Sequence, residues 1–196
     1  MRFLGTLVSL TSLLAVGALV WAFWPAPKAD RPLGIGGDFS LIHETGAEAS
    51  TATLFAGQPM LVTFGYTFCP DVCPTTLLDM VLAAEATAVE EAMVFVSVDP
   101  ARDQPEVLAA YTDLFSPALH GFTGPAAQVE AVKADWAVYA ARHDTDQFSD
   151  YLVDHTTLIF LTDQDHRVVE TFRNGTPAPE LAAAITARFS DPSPKP

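Results

Sequence analysis

Short apolar runs and segments with apolar residues at helical spacing follow one another along most of the chain. The short runs predict strands at residues 60–64, 93–98, 157–161 and 167–172. The helical spacing predicts a helix that has Pro74 in its first turn, and helices at residues 105–115, 126–139 and 179–189. This order predicts an α/β protein with a mixed central sheet flanked by helices. A βαβ unit followed by a ββα unit is the order of a thioredoxin-like fold.

The N-terminal segment has a different pattern, because residues 3–24 contain no charged side chain. A transmembrane helix needs about 20 apolar residues, so we expect a single spanning helix here. No small-residue cleavage pattern follows Trp24, which favours an uncleaved signal-anchor over a cleaved signal peptide. The predicted organisation is an anchor at residues 1–28, one exported domain at residues 29–189 and a flexible, proline-rich tail at residues 190–196.

The charge of the chain excludes one class of partner. Aspartate and glutamate number 24 against 10 lysines and arginines, which gives a net charge of −14. Two of the basic residues, Arg2 and Lys28, belong to the predicted anchor, so residues 29–196 carry 24 acids and 8 bases, a net charge of −16. Because an acidic surface repels phosphate, we expect no nucleic-acid binding.

The two cysteines, Cys69 and Cys73, lie between the first predicted strand and the helix that follows it. Four positions apart at the start of a helix, their side chains come close enough to bind one metal ion or, with adjustment, to form a disulfide. The helix N-terminus favours anions and lowers the pKa of thiols placed there. A purely structural disulfide would close a ring too short to restrict the unfolded chain strongly. We therefore predict a metal-binding or redox-active pair.

A third ligand is expected because two thiolates under-coordinate most metal ions. His155 is the candidate, since it precedes an apolar strand whose start faces the cysteine-bearing helix in the predicted fold. The neighbouring carboxylates Asp71 and Asp154 are predicted to be solvated. The remaining histidines lie in polar or turn-rich segments and are predicted to be surface residues: His43, His120, His143 and His166. Copper and zinc both accept two thiolates and one imidazole, so ligand types alone do not identify the metal.

Four segments carry a resemblance to a known family, at residues 36–39, 64–74 (FGYTFCPDVCP), 97–103 and 154–156 (DHT). With these segments the chain resembles the Sco/SenC family of membrane-anchored, copper-handling proteins. The similarity covers nearly all of residues 35–189. It implies a thioredoxin-like fold and one copper ion per chain, as Cu(I) or Cu(II), held by Cys69, Cys73 and His155.

The resemblance also implies a function in the assembly of cytochrome c oxidase. The chain would be a copper chaperone for the CuA centre, and its partner would be the CuA domain of oxidase subunit II. A second periplasmic copper chaperone is a further candidate partner. The expected location is the inner membrane, with the soluble domain in the periplasm or the intermembrane space.

Two enzymatic alternatives stay open. The first is a thiol-disulfide reductase that keeps the cysteines of the CuA site reduced, with Cys69 and Cys73 as its catalytic redox pair. The C-x-x-x-C spacing and the absence of a proline beside His155 disfavour a general thioredoxin-type oxidoreductase, but not a dedicated reductase. The second is a peroxiredoxin-like peroxidase acting through Cys69, which is disfavoured because Thr63 occupies the position of an expected proline.

Overall fold

The computed structural model describes residues 33–144 and 151–189. The predicted anchor at residues 1–28 and the predicted tail at residues 190–196 lie outside the described residues, so both stay predictions. Within the described ranges, none of the helices combines the length and the apolar character that crossing a membrane requires.

The described residues form nine strands and five helices. The strands are β1 (Ser40–His43), β2 (Glu48–Ser50), β3 (Met60–Gly65), β4 (Ala92–Ser97), β5 (Leu119–Thr123), β6 (Ala140–His143), β7 (Leu152–His155), β8 (Leu158–Thr162) and β9 (Val168–Arg173). The helices are α1 (Thr51–Leu54), α2 (Val72–Glu85), α3 (Pro105–Thr112), α4 (Ala126–Asp135) and α5 (Ala178–Phe189).

Seven of the strands form one mixed sheet in the order β2-β1-β5-β4-β3-β8-β9, and β6 pairs with β7 in a separate ribbon. Strands β3, β4 and β5 are parallel, with Phe64 opposite Val96 and Val96 opposite Phe122. Strand β8 runs antiparallel to β3 and pairs with β9 in a hairpin. The predicted mixed α/β sheet with a late hairpin is therefore confirmed. The central position of β3 and β4 explains their continuous apolar runs, because every residue of both strands is buried.

Apolar side chains pack against both faces of the sheet. On one face, Trp136 at the end of α4 contacts the rings of Phe64 and Phe160, at centroid distances of 5.8 and 5.6 Å. On the other face, helices α2, α3 and α5 bury residues that include Leu77 and Leu181. The sheet is thus the middle of three layers.

The predicted helix boundaries have mixed outcomes. Helix α2 begins at Val72 and has Pro74 in its first turn, as predicted. Helix α3 ends at Thr112 rather than residue 115, and α4 ends at Asp135 rather than residue 139. The end of α4 has a backbone cause, since Ala137 adopts a left-handed φ of 53° that a helix cannot continue through. Five apolar residues within the predicted helices are exposed: Leu78, Leu82, Val107, Leu114 and Tyr139.

Candidate metal centre

The centre lies beyond the C-terminal end of β3, where two distant parts of the chain meet. Strand β3 ends at Gly65, a loop carries Cys69, and Cys73 lies in the first turn of α2. Strand β8 is antiparallel to β3, with Thr63 opposite Ile159, so the residues just before β8 reach the end of β3. His155 is the last residue of β7 and therefore faces the cysteine-bearing loop.

The two cysteines and His155 converge. One ligand atom from each residue lies within 4.8 Å of the other two. Sγ of Cys73 is 3.5 Å from Nε2 of His155, and the backbone N–H of Cys73 donates to Sγ of Cys69 at 3.4 Å. Ligands about 2.0–2.3 Å from one ion have separations of this size, so small side-chain shifts would bring all three onto a shared metal. The structure thus brings together all three residues that the sequence predicted.

The orientation of His155 suits a ligand. Its Nδ1–H donates to the carbonyl oxygen of Thr156 at 3.0 Å, which directs Nε2 towards the sulfur atoms. In the neutral ring, Nε2 then carries the lone pair that a metal requires. The buried ring of Tyr66 packs edge-on against His155 at a centroid distance of 5.7 Å and limits its rotation.

The two thiols have different environments. The hydrogen bond from the Cys73 thiol, together with bonds from the N–H groups of Cys73 and Asp71, lowers the pKa of Cys69 to about 4. The hydrogen bond to Cys69, together with burial, raises the pKa of Cys73. Cys69 is half-buried and Cys73 is buried. The site therefore combines a half-buried thiol of lowered pKa with a buried thiol of raised pKa.

Comparison with known proteins places this geometry in a family. The model of the SCO1/SenC family matches residues 27–190. The chain belongs to the SCO1/SenC family. It is 40% identical to Protein SenC of Rhodobacter capsulatus over 161 residues, which cover 80% of this chain and 71% of that protein. It is 38% identical to the mitochondrial SCO1 homolog of Homo sapiens over 164 residues, which cover 81% of this chain.

The match spans about half of the human relative, 54% of its length. Among solved structures, the chain is similar to Arabidopsis thaliana ScoI with copper bound, with a TM-score of 0.75 and 30% identity. That alignment covers 80% of this chain and 98% of the plant chain. The SCO1/SenC fold of the chain is therefore shared with a protein that has been crystallised with copper.

Asp103 is a positioning residue of this SCO1/SenC site to which the sequence did not assign a role. Its carboxylate is fully buried and accepts hydrogen bonds from the N–H and O–H of Thr67, at 3.1 and 2.6 Å, and from the O–H of Ser97. These bonds tie the loop before Cys69 to the end of β4. The sequence does contain a signal for this role. Arg102 and Asp103 follow an apolar strand closely and lie within residues 97–103, one of the segments that carry the family resemblance.

Gly65 permits the close packing of the centre. A Cβ atom built at this position would lie 2.7 Å from Sγ of Cys73 and 2.7 Å from a ring carbon of Phe95. Because a Cβ atom essentially never lies this close to another non-hydrogen atom, only glycine lets β3 pass so close to the thiol.

An arginine with aromatic neighbours flanks the loop that carries Cys69. Arg102 pairs with Asp99, and its guanidinium lies 3.7 Å from the ring centroid of Tyr151 and 5.0 Å from that of Phe68. The hydroxyl of Tyr151 donates to Asp99 at 2.8 Å. This arrangement supports the exposed ring of Phe68 directly before Cys69, at the mouth of the site.

The other predicted polar residues have mixed outcomes. Asp71, Asp154 and His143 are exposed, as predicted. The prediction of a surface position was wrong for His166, which is buried between the carboxylate of Asp38 and the carbonyl oxygen of Phe55. It was also wrong for His43 and His120, which are half-buried and contact each other.

Proposed function

We propose that this chain is a copper chaperone that holds one copper ion through Sγ of Cys69, Sγ of Cys73 and Nε2 of His155. The observation that carries the proposal is the convergence of these three atoms within 4.8 Å, with Nδ1 of His155 held by Thr156. The arrangement places two soft sulfur ligands and one imidazole around one point, which suits Cu(I) in trigonal geometry.

A structural relative favours copper over zinc. The ligand set accepts both ions, but the Arabidopsis relative of similar fold was solved with copper bound. A Cu(II) ion would also bind here if water or a protein oxygen completed a tetragonal site. The raised pKa of Cys73 means that a thiol proton leaves when the metal enters, so loading is coupled to proton release.

The recipient that we propose is the CuA centre of cytochrome c oxidase subunit II, as the family resemblance implies. Residues 1–28 would anchor the chain in the inner membrane and hold the acidic domain in the periplasm or the intermembrane space. A second copper chaperone in the same compartment would load the site. Partial exposure of Cys69 beside the exposed Phe68 supports transfer by direct contact, because an incoming ligand reaches the metal from this side.

One observation favours a second candidate function, a thiol-disulfide reductase for the CuA cysteines. The lowered pKa of the accessible Cys69 and the protected thiol of Cys73 are the asymmetry expected of an attacking and a resolving cysteine. Cys69 would attack the partner disulfide and release one thiolate. Cys73 would then lose its proton and attack Cys69, which releases the second thiolate and leaves a Cys69–Cys73 disulfide. Two electrons pass to the partner in this sequence.

The two functions are separated by mixing the reduced, copper-loaded chain with an oxidised apo CuA domain, and in parallel with a reduced one. Copper and free thiols are followed separately on both proteins. Chaperone function predicts copper transfer to the reduced domain without thiol exchange. Thiol exchange with the oxidised domain, without copper transfer to either form, would contradict the chaperone proposal and support the reductase.

A further inference from the structure

A second group of metal-ligating side chains lies at the junction of β1 and β5. His43 is the last residue of β1, Glu44 follows it, and His120 is the second residue of β5. One ligand atom from each residue lies within 4.8 Å of the other two. The proposed copper centre uses none of them.

This group is separate from the cysteine centre. Strand pairing places His120 opposite Val94 of β4 and Val94 opposite Val62 of β3. His120 is therefore two strands away from β3, at the level of Val62. Cys69 and Cys73, in contrast, lie beyond Gly65, which is the last residue of β3 and follows Val62 by three positions. Two strand spacings alone amount to about 10 Å, so one ion cannot serve both groups.

The nitrogen atoms of the two histidines have the separation of two ligands on one ion. Nε2 of His43 lies 3.3 Å from Nδ1 of His120 and 3.8 Å from Oε1 of Glu44. Two nitrogens, each bound to one ion at the usual length and at a tetrahedral angle, lie about 3.3 Å apart. The carboxylate oxygen needs only a small shift to join them.

Surrounding residues hold the three side chains in place. Oε2 of Glu44 accepts hydrogen bonds from the O–H of Thr112 at 2.6 Å and the N–H of Gly121 at 2.8 Å, which leaves Oε1 as the ligand atom. Nδ1 of His43 accepts a hydrogen bond from the backbone N–H of Thr45 at 3.3 Å and lies 3.0 Å from Oγ1 of the same residue. When Nε2 binds a metal, the ring proton moves to Nδ1, where Oγ1 of Thr45 can accept it. Such partners for the outer atoms of ligands are typical of metal sites.

Aromatic rings close the site from the core side. The ring of Phe122 packs against His43 at a centroid distance of 5.2 Å, and the ring of Phe55 packs against His120 at 5.0 Å. The side chains of His43 and Glu44 are only 12% and 15% exposed. Burial and the neighbouring His43 also lower the pKa of His120, which favours the neutral form of its ring. The site is therefore partly sequestered from solvent.

We propose that His43, Glu44 and His120 form a second metal site, which binds a divalent transition-metal ion independently of the thiols. Two imidazoles and one carboxylate are borderline ligands that suit Zn²⁺ and Cu²⁺, and among divalent ions Cu²⁺ binds such sets most strongly. A bound ion would connect β1 to β5, which pair through only the two registered positions Ile42–Thr123 and His43–Phe122. The proposal does not rest on the function proposed above.

The test uses the full-length chain with the first centre removed by Cys69→Ser, Cys73→Ser and His155→Ala. Cu²⁺ alone is titrated against a competing chelator, and electron paramagnetic resonance reports its ligands. We expect one Cu²⁺ per chain, hyperfine splitting from two nitrogens and a higher melting temperature when the ion is present. Adding His120→Ala should lower the affinity for Cu²⁺ at least about tenfold, because replacing residues that hold metal ligands in place already costs this much.

Two further variants make the result decisive. The first adds His143→Ala in place of His120→Ala. It changes an exposed histidine of β6 that belongs to neither metal-ligating group, so the affinity for Cu²⁺ should stay unchanged. Adding Glu44→Gln keeps an oxygen acceptor for Thr112 and Gly121 but removes the charge, so the fold should persist while the affinity falls. Circular dichroism verifies folding of each variant. Absence of stoichiometric Cu²⁺ binding, or equal affinity in the His120→Ala and His143→Ala variants, would overturn the proposal.

Discussion

Sγ of Cys73 lies 3.5 Å from Nε2 of His155, although the two residues are 82 positions apart in the sequence. The antiparallel pairing of β8 with β3 brings them together, because it returns the chain to the end of the strand that precedes the cysteines. The hydrogen bond from Nδ1 of His155 to Thr156 then fixes which nitrogen faces the sulfur. The centre is thus a product of the sheet topology, and changes in the sheet should affect metal binding.

Substitution of Gly65 by alanine should damage the centre without altering any proposed ligand. The new Cβ atom would lie 2.7 Å from Sγ of Cys73 and from Phe95, and neither the buried ring nor the helix can easily move. We expect a loss of stability of about 1–3 kcal/mol, as is typical of overpacking, and weaker copper binding. Chemical unfolding and competition titration measure the two effects.

Gly124→Ala is the matched control for Gly65→Ala, since its Cβ atom would meet nothing closer than a methyl group of Leu41 at 3.3 Å. This variant should bind copper with the affinity of the unmodified chain. If Gly65→Ala also bound copper with unchanged affinity, the close approach of β3 to Cys73 would not constrain the site.

Replacement of Asp103 by asparagine should loosen the loop that carries Cys69. The carboxylate of Asp103 accepts two hydrogen bonds from Thr67 and one from Ser97, whereas an amide has one oxygen and presents N–H groups to the remaining donors. Leaving buried donors unsatisfied costs about 1–3 kcal/mol. We therefore expect a lower free energy of unfolding and weaker copper binding.

Asp113→Asn, at an exposed position directly after α3, controls for the change in charge and should have little effect on either quantity. Equal copper affinity and stability in the Asp103→Asn and Asp113→Asn variants would show that the buried carboxylate does not position the loop.

The pKa of about 4 predicts that Cys69 reacts as a thiolate throughout the neutral range. An ordinary thiol has a pKa of about 8.5, so its alkylation rate rises almost tenfold per pH unit up to that value. In the reduced, metal-free chain, alkylation of Cys69 by iodoacetamide should instead be nearly constant from pH 5.5 to 8. Cys73 should stay unmodified, because burial and its raised pKa protect it.

Mass spectrometry of quenched samples identifies the modified cysteine, and glutathione in the same buffers serves as the reference thiol. A steep increase of Cys69 alkylation with pH, parallel to that of glutathione, would show that the environment of the loop does not stabilise the thiolate.

The parts of the fold that could be predicted are those with a strong local signal. Strands β3 and β4 are continuous apolar runs because both of their faces are covered. Strand β5 escaped prediction because its sequence contains Gly121, and the structure explains this glycine by the side chain of Leu108, which would lie 2.7 Å from a Cβ atom. Short polar strands such as β6 acquire their conformation from pairing, which a linear pattern does not contain.

The functional residues could likewise be predicted only where the sequence carries a local signal. The cysteines and His155 stood out by residue type and by their position relative to strands. The buried His166 did not, because its partner Asp38 is 128 positions away and its own segment is a polar turn. The contact between His43 and His120 was hidden for the same reason, since it depends on the pairing of β1 with β5.

The most direct test of the copper centre is a competition titration of Cu(II) with the reduced, full-length chain and its His155→Ala variant. The result is compared with that of His143→Ala, whose exposed ring lies on β6. We predict that His155→Ala lowers the affinity of the cysteine centre for Cu(II) at least about tenfold, while His143→Ala leaves it unchanged. Full retention of Cu(II) binding at the cysteines in the His155→Ala variant would contradict the account, because it would remove His155 from the site.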